Sequence, residues 1–301
     1  MKMPDTRNPS LLSRVLPYVV VAIAPLCWSG NIVLGRGVIH IIPPVSLAFW
    51  RWAIAFLILL PFTWRHARRD WPTVVRHWKI MTLLSLFGIS CFNTLLYQAV
   101  HTITAISGAL IQTTMPAFII LIMLFFFRER VSGIQILGVV LCMLGAALVV
   151  LRGDMNALLN LSFVQGDLLM IIAVVLYAFY TALLRKRPDI HPLSFVTYTF
   201  GIGLLGLLPV YIWERTQCDP VIITQQVVLS VLYVAIFPSI VAYLCWNKGA
   251  QTIGPNRTGL FINLLPVFAS VLAIVFLGES LEAYHLLGML LIFGGMILFN
   301  R

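Results

Sequence analysis

Acidic side chains are scarce in this sequence: its 301 residues hold ten Asp and Glu, and none stands in the middle of an apolar run. The nearest, Glu129, Asp167 and Glu279, lie at run ends. A carboxylate dyad is therefore excluded, and a lone cation inside any run finds no counter-ion. Histidine adds little, since His40, His66, His77 and His191 lie in loops and His101 and His285 near run ends. No nucleophile–base pair or metal set forms, so the chain is not expected to be an enzyme, and no cofactor or metal is expected. The five cysteines make no disulfide or metal framework: Cys27, Cys91, Cys142 and Cys245 sit inside apolar runs, Cys218 is alone in a loop, and no C-x-x-C occurs. Charged residues make up only 10% of the chain, too few to cover a water-soluble core.

What is present is apolar. Hydrophobic residues make up 60% of the chain and the mean hydropathy is +0.98, so the solvent for most of the surface is lipid. A bilayer core about 30 Å thick needs about 20 apolar residues per helix. Ten runs meet that description: 17–35, 45–64, 80–100, 106–127, 133–151, 168–184, 193–213, 227–247, 258–277 and 284–299. The first is too long for a cleaved signal peptide and has no A-x-A-like exit, so it is expected to be retained. The net charge of +10 lies in the short loops between runs, which is the footprint of membrane insertion rather than of nucleic-acid binding. Sixteen Lys and Arg occupy the termini and every second loop, against Arg36, Arg152 and Arg215 in the alternate loops. That asymmetry predicts a multi-pass bacterial inner-membrane protein with both termini in the cytoplasm.

The chain also aligns with itself. At an offset of 150 residues, Thr102 meets Thr252, Pro116 meets Pro266, Glu129 meets Glu279, Gly138 meets Gly288 and Gly145 meets Gly295. Nearer the start the offset drifts, pairing Ser46 with Ser194 and Trp28 with Tyr177. Hydrophobicity alone does not explain matched Pro, Gly and Glu. The expected fold is all-α and integral to the membrane, with ten transmembrane helices as two inverted five-helix repeats. Residues 1–16 form a cytoplasmic segment, 17–152 the first repeat, 153–167 a periplasmic linker and 168–301 the second repeat. Inverted repeats with a site at the midplane are the architecture of secondary transporters, a link from architecture to function that rests on analogy.

Several segments carry a family likeness. FFFRERVSGIQILGVVLCMLGAALV and FLGESLEAYHLLGMLLIFGGM resemble the helix-end glutamate and Gly-rich last helix of the EamA-type drug/metabolite transporter superfamily. INLLPVFASVLAIVFLGE resembles its ninth helix, and CWSGNIVLGR its first-helix motif, with Trp28 in the tryptophan position. The narrower resemblance is to bacterial aromatic amino-acid exporters. The resemblance to the superfamily implies ten helices, cytoplasmic termini and metabolite export. Related small multidrug exporters rely on a first-helix glutamate for cations, whereas residues 25–31 here contain no acid.

Polar residues inside the runs mark the candidate substrate site, because an unpaired polar group in lipid is costly. They are Trp28 and Asn31 in the first run; Ser90, Asn93 and Tyr97 in the third; Gln112 and Thr113 in the fourth; Tyr177 and Tyr180 in the sixth; Ser239, Tyr243, Trp246 and Asn247 in the eighth; and Asn263 in the ninth. Each has two readings, as interhelical hydrogen-bonding glue or as the wall of a central cavity. At offset 150, Asn93 matches Tyr243 and Tyr97 matches Asn247, which predicts a shared volume of amides and hydroxyls without formal charge. Pro116 and Pro266 lie inside long runs, as gating hinges or static kinks. Glu129 and Glu279 are expected to cap the next helix. Arg51 is expected either to snorkel to the headgroups or to bind a substrate carboxylate. The expected partners are a small neutral or zwitterionic solute such as an amino acid, and membrane lipid, with one chain as the functional unit. Another uncharged metabolite or drug remains the alternative substrate, and a passive channel the alternative class.

Overall fold

Where water is absent, a backbone can satisfy its N–H and C=O groups within its own segment only as a helix. The computed structural model, which describes residues 11–38, 40–99, 102–103, 105–154, 156, 159, 164–218, 221–277 and 282–300, is built accordingly, with no strand among those residues. Each apolar run is helical. The elements are α1 (Leu11–Gly37), α2 (Pro44–Arg76), α3 (Trp78–Ala99), α4 (Ala105–Thr113), α5 (Met115–Phe127) and α6 (Gly133–Val150). They continue with α7 (Gln165–Leu183), α8 (Pro192–Gln217), α9 (Gln225–Thr252), α10 (Pro255–Leu260), α11 (Leu264–Leu277) and α12 (Ala283–Phe299). Seven segments of the described residues are long and apolar enough to cross a membrane, and two shorter apolar helices lie at Val15–Asn31 and Ala283–Phe299. Phe62, Phe125, Leu205 and Leu290 stand on the outside, each at least two-thirds exposed, as a lipid-facing surface allows.

Hydropathy does not predict where α2 ends. The apolar run stops near Trp64, but the helix continues to Arg76, 33 residues in all. At 1.5 Å per residue that is about 50 Å, well beyond a bilayer core. The extension holds because it packs on α8: Ala67, Asp70 and Val74 are buried, and the Tyr198 hydroxyl donates to the Ala67 carbonyl at 2.8 Å.

The α2–α8 pair is fastened at both ends by an acid of one helix on the other's N-terminus. Glu214 of α8 accepts from the amides of Val45 (2.9 Å) and Ser46 (2.6 Å) and from the Ser46 hydroxyl (2.7 Å). Asp70 of α2 accepts from the His191 amide, just ahead of α8, at 3.0 Å. These amides have no partner within their own helix, and the helix dipole favours an anion there. Proline begins each helix, at Pro44 and Pro192, where its missing N–H costs nothing.

A second pair, α6 and α12, meets through glycine. A β-carbon on Gly138 would lie 2.7 Å from the Gly295 carbonyl oxygen, and one on Gly145 2.7 Å from that of Gly288. Between them the Cys142 thiol donates to the Ile292 carbonyl at 3.3 Å. Close backbone approach of this kind is how small residues hold helices together in lipid.

Regular helix is interrupted in matched places. Leu86–Cys91 within α3 and Ile236–Val241 within α9 are π-helical, with corresponding ends 150 residues apart. The chain also breaks at Thr114 between α4 and α5, and at a 3-10 turn, Phe261–Asn263, between α10 and α11. Pro116 lies inside the apolar span Leu110–Phe127. The break at Thr114 stands just ahead of it, and it occupies the first turn of α5. Pro266 is the third residue of α11, just past the 3-10 turn.

The capping expected of Glu129 is also corrected. Ser132 caps α6, its hydroxyl accepting from the Gln135 amide while the Gln135 side chain accepts from the Ser132 amide. Glu129 instead pairs with Arg185 at 2.5 Å and accepts from the Asn256 amide group at 3.1 Å. Glu279 lies outside the described residues.

The glycine contact yields a test. Gly145→Val should lower the unfolding temperature of detergent-purified protein, because overpacking at a backbone contact costs about 1–3 kcal/mol. Gly294→Ala, whose β-carbon meets nothing within 4 Å, should leave the temperature unchanged or raise it.

Candidate functional site

One charge sits at the centre. Arg51, about two turns into α2, is only 1% exposed. Its Nε donates to the Ser239 hydroxyl at 2.5 Å. Nη1 donates to the Asn93 side-chain oxygen at 2.9 Å and the Tyr97 hydroxyl at 3.0 Å, and Nη2 to the Pro238 carbonyl at 2.9 Å. The guanidinium carbon stands 4.7 Å from the centre of the Trp52 ring. The expectation of snorkelling is thus wrong, because the bundle offers four neutral acceptors where the headgroups would have offered water. The expectation of a site without formal charge is wrong for the same reason: Asn93 and Tyr97 both hold this cation.

The π segments make the acceptors available. A π turn displaces carbonyls from the regular ladder, and the two at equivalent positions both take side-chain donors. Pro238 accepts from Arg51 and from the Trp28 indole at 3.0 Å. Gly88 accepts from the Tyr243 hydroxyl and, at 3.4 Å, from the Asn93 amide group. Each carbonyl thus ties one half of the chain to the other, Trp28 and Arg51 reaching α9 and Tyr243 reaching α3.

Behind these lie two matched pairs. Tyr97 donates to the Asn31 side-chain oxygen at 3.0 Å, and Tyr180 donates to that of Asn247 at 2.6 Å. Tyr97 is the sequence equivalent of Asn247, and Asn31 lies 149 residues before Tyr180. The two halves therefore make the same bond between the same helices with tyrosine and asparagine exchanged.

A small cavity opens beside the guanidinium, with about 20 Å³ of space for the centre of a water molecule, enough for about one water. Of the expected residues, Trp28, Asn31, Asn93, Gln112, Tyr177 and Tyr243 line it, together with Arg51. Phe92, Leu96, Met115 and Ile262 complete the wall; as ordinary apolar residues they carry no sequence signal. The Trp28 ring meets Tyr177, Tyr243 and Trp246 at centroid distances of 5.6, 6.1 and 5.0 Å. The buried Tyr177 hydroxyl lies beside that of Tyr243 and makes no hydrogen bond of regular geometry.

The remaining expected residues lie off the cavity. Ser90 donates to the Gly203 carbonyl at 2.7 Å, Thr113 to that of Leu110 at 2.7 Å, and the Trp246 indole to the Thr181 hydroxyl at 3.1 Å. Tyr97 and Ser239 stand one bond behind, through Arg51. Asn263 in the 3-10 turn is fully buried, with neither side-chain polar atom bonded. No group of three or more His, Cys, Asp or Glu able to hold a metal occurs among the described residues.

Comparison with known proteins fits this arrangement. The profile of the EamA-like transporter family matches twice, over residues 15–151 and 164–301. Uncharacterized transporter YyaM of Bacillus subtilis (strain 168) is 28% identical over 258 residues, covering 84% of this chain and 83% of that protein. Uncharacterized transporter YetK of the same organism is 26% identical over 281 residues, covering 93% and 85%. WAT1-related protein At3g02690, chloroplastic, of Arabidopsis thaliana is 25% identical over 298 residues, covering 94% and 70%. A solved crystal structure shares the fold, with a TM-score of 0.73 at 17% identity, covering 94% of this chain and 96% of that one.

The paired bonds predict a division of labour. Tyr180→Phe leaves the Asn247 amide, whose nitrogen already has no partner, without any bond. Unfolding should become easier by about 1–3 kcal/mol, read as a lower melting temperature, while ligand affinity of the surviving protein stays unchanged.

Proposed function

The chain belongs to the EamA-like transporter family, and from that premise we propose that it is a secondary transporter moving a small neutral or zwitterionic metabolite, most simply an amino acid, out of the cell by alternating access. The observation that carries this reading is the buried network around Arg51, Asn93, Tyr97 and Tyr243, which joins α1, α2, α3 and α9 beside an aromatic cavity. Amide, hydroxyl and indole groups suit the polar end of such a solute, and the rings suit an apolar side chain. The likeness to aromatic amino-acid exporters points the same way.

In this reading ten helices form two five-helix halves of opposite orientation in the inner membrane. The sixteen-to-three division of basic residues supports cytoplasmic termini. A cavity with room for about one water is the occluded member of the cycle, and entry of a solute requires the walls to part. The breaks before Pro116 and Pro266 lie where Gln112 and Ile262 reach the cavity, which supports hinges beside the proposed site. With no carboxylate at mid-span, transport proceeds as facilitated diffusion or exchange without a proton gradient.

Purified protein in liposomes tests this. Counterflow of labelled amino acids between preloaded vesicles should be seen, which a passive pore cannot produce, and an imposed pH gradient should not drive accumulation. Asn93→Ala should weaken the transported solute about 5- to 30-fold, and Pro116→Ala should slow turnover more than it weakens binding. Absence of counterflow for every amino acid tried would sink the reading.

Orientation is tested separately. The exposed native Cys218 should react with an impermeant maleimide added to intact cells, and an added thiol from Arg69→Cys in a Cys218→Ser background should not. Labelling at position 69 from outside would reverse the topology.

A further inference from the structure

We propose that Arg51 receives the carboxylate of the transported solute, so that the anionic end is what the site recognises and an ammonium group is dispensable. This deepens the transport reading above and rests on it for the word transported. The binding claim stands on the site alone.

A guanidinium does not lose its proton in a protein, so Arg51 is a permanent cation at 1% exposure. Burying such a charge is costly unless an anion accompanies it. No acid does: no Asp or Glu is among its hydrogen-bond partners or lines the cavity beside it. The four acceptors at Arg51 are all neutral oxygens. They satisfy geometry without neutralising charge. A purely structural tie could be made by neutral side chains at lower cost, so the retained charge points to an anion that arrives from outside.

The surroundings favour a carboxylate in particular. Arg51 forms part of the cavity wall, and Tyr177, 1% exposed, lines the same cavity with its hydroxyl beside that of Tyr243. A planar carboxylate can take two N–H groups of a guanidinium side by side, and its outer oxygen can take a hydroxyl such as that of Tyr177. Three of the present acceptors, Ser239, Asn93 and Tyr97, are side chains able to yield. An ammonium finds no counter-ion, because no Asp or Glu lines the cavity, and only ring faces and the neutral amides of Asn31 and Gln112 remain to it. Of the bonds a carboxylate would replace, that to Ser239 runs from α2 to α9. Binding of the anion thereby loosens a tie between the two halves of the chain.

Matched compounds separate the two ends of the solute. Detergent-purified wild-type protein is titrated, by ligand-dependent shift of its melting temperature, with L-phenylalanine, 3-phenylpropionate and phenethylamine, and with L-leucine, 4-methylpentanoate and 3-methylbutylamine. The same compounds compete in liposome counterflow. The carboxylates should bind within about tenfold of the corresponding amino acid, and the amines should not bind. Arg51→Gln should weaken the carboxylates roughly 10- to 100-fold, and Arg51→Lys should weaken them less because it keeps the charge. Equal or better binding of the amines, failure of both carboxylates to bind, or unchanged carboxylate affinity in folded Arg51→Gln overturns the assignment. Wild-type comparison alone decides it if the variant does not fold. Amino-acid exchange with amines competing removes the anion site and leaves transport standing. Arg51-dependent carboxylate binding without any exchange does the reverse.

Discussion

A charge buried inside this bundle must meet protein acceptors in place of bulk water. That constraint organises the centre of the molecule more than any single contact does. Arg51 stays inside because two side-chain hydroxyls, an amide and a backbone carbonyl meet it there. The carbonyl is free because α9 relaxes into a π segment at Ile236–Val241. The segment in turn ties α9 to α1 and α2, since Trp28 and Arg51 share its Pro238 oxygen. Cation, bulge and interhelical bonds are one arrangement, and none of the three is satisfied without the others.

The same economy governs the ends of helices. Amides that begin a helix lack partners within it, and α2 and α8 supply them from each other through Glu214 and Asp70. Antiparallel packing makes the exchange possible, because the C-terminal part of one helix lies beside the start of the other. Glycine does the corresponding work for α6 and α12, where backbone meets backbone directly.

The helical class was legible from hydropathy, because ten long apolar runs admit little else. Helix ends were not. The extension of α2 past Trp64 is polar in sequence and held by tertiary contacts through Ala67 and Asp70. Pro116 read as an interior kink because a run of apolar residues does not reveal a break at Thr114. For the candidate site, aromatic and amide residues at helical spacing singled out six residues that line the cavity. Arg51 was seen, but a charge near a run's end reads as snorkelling until its acceptors are known, and those acceptors come from α3 and α9. Pro238 was invisible in principle: its contribution is a main-chain oxygen, and no side-chain pattern announces one. Phe92, Leu96, Met115 and Ile262 are hidden by their ordinariness in a chain that is 60% hydrophobic.

That main-chain oxygen has an evolutionary corollary. A side-chain acceptor is lost by a single codon change, whereas the Pro238 carbonyl survives any substitution that preserves the bulge. The acceptor that holds Arg51 is thereby insulated from drift, whereas Trp28 is tied to it through its indole. Descendants of such a chain can reshape the cavity wall at Tyr177 without removing the oxygen that fixes the guanidinium.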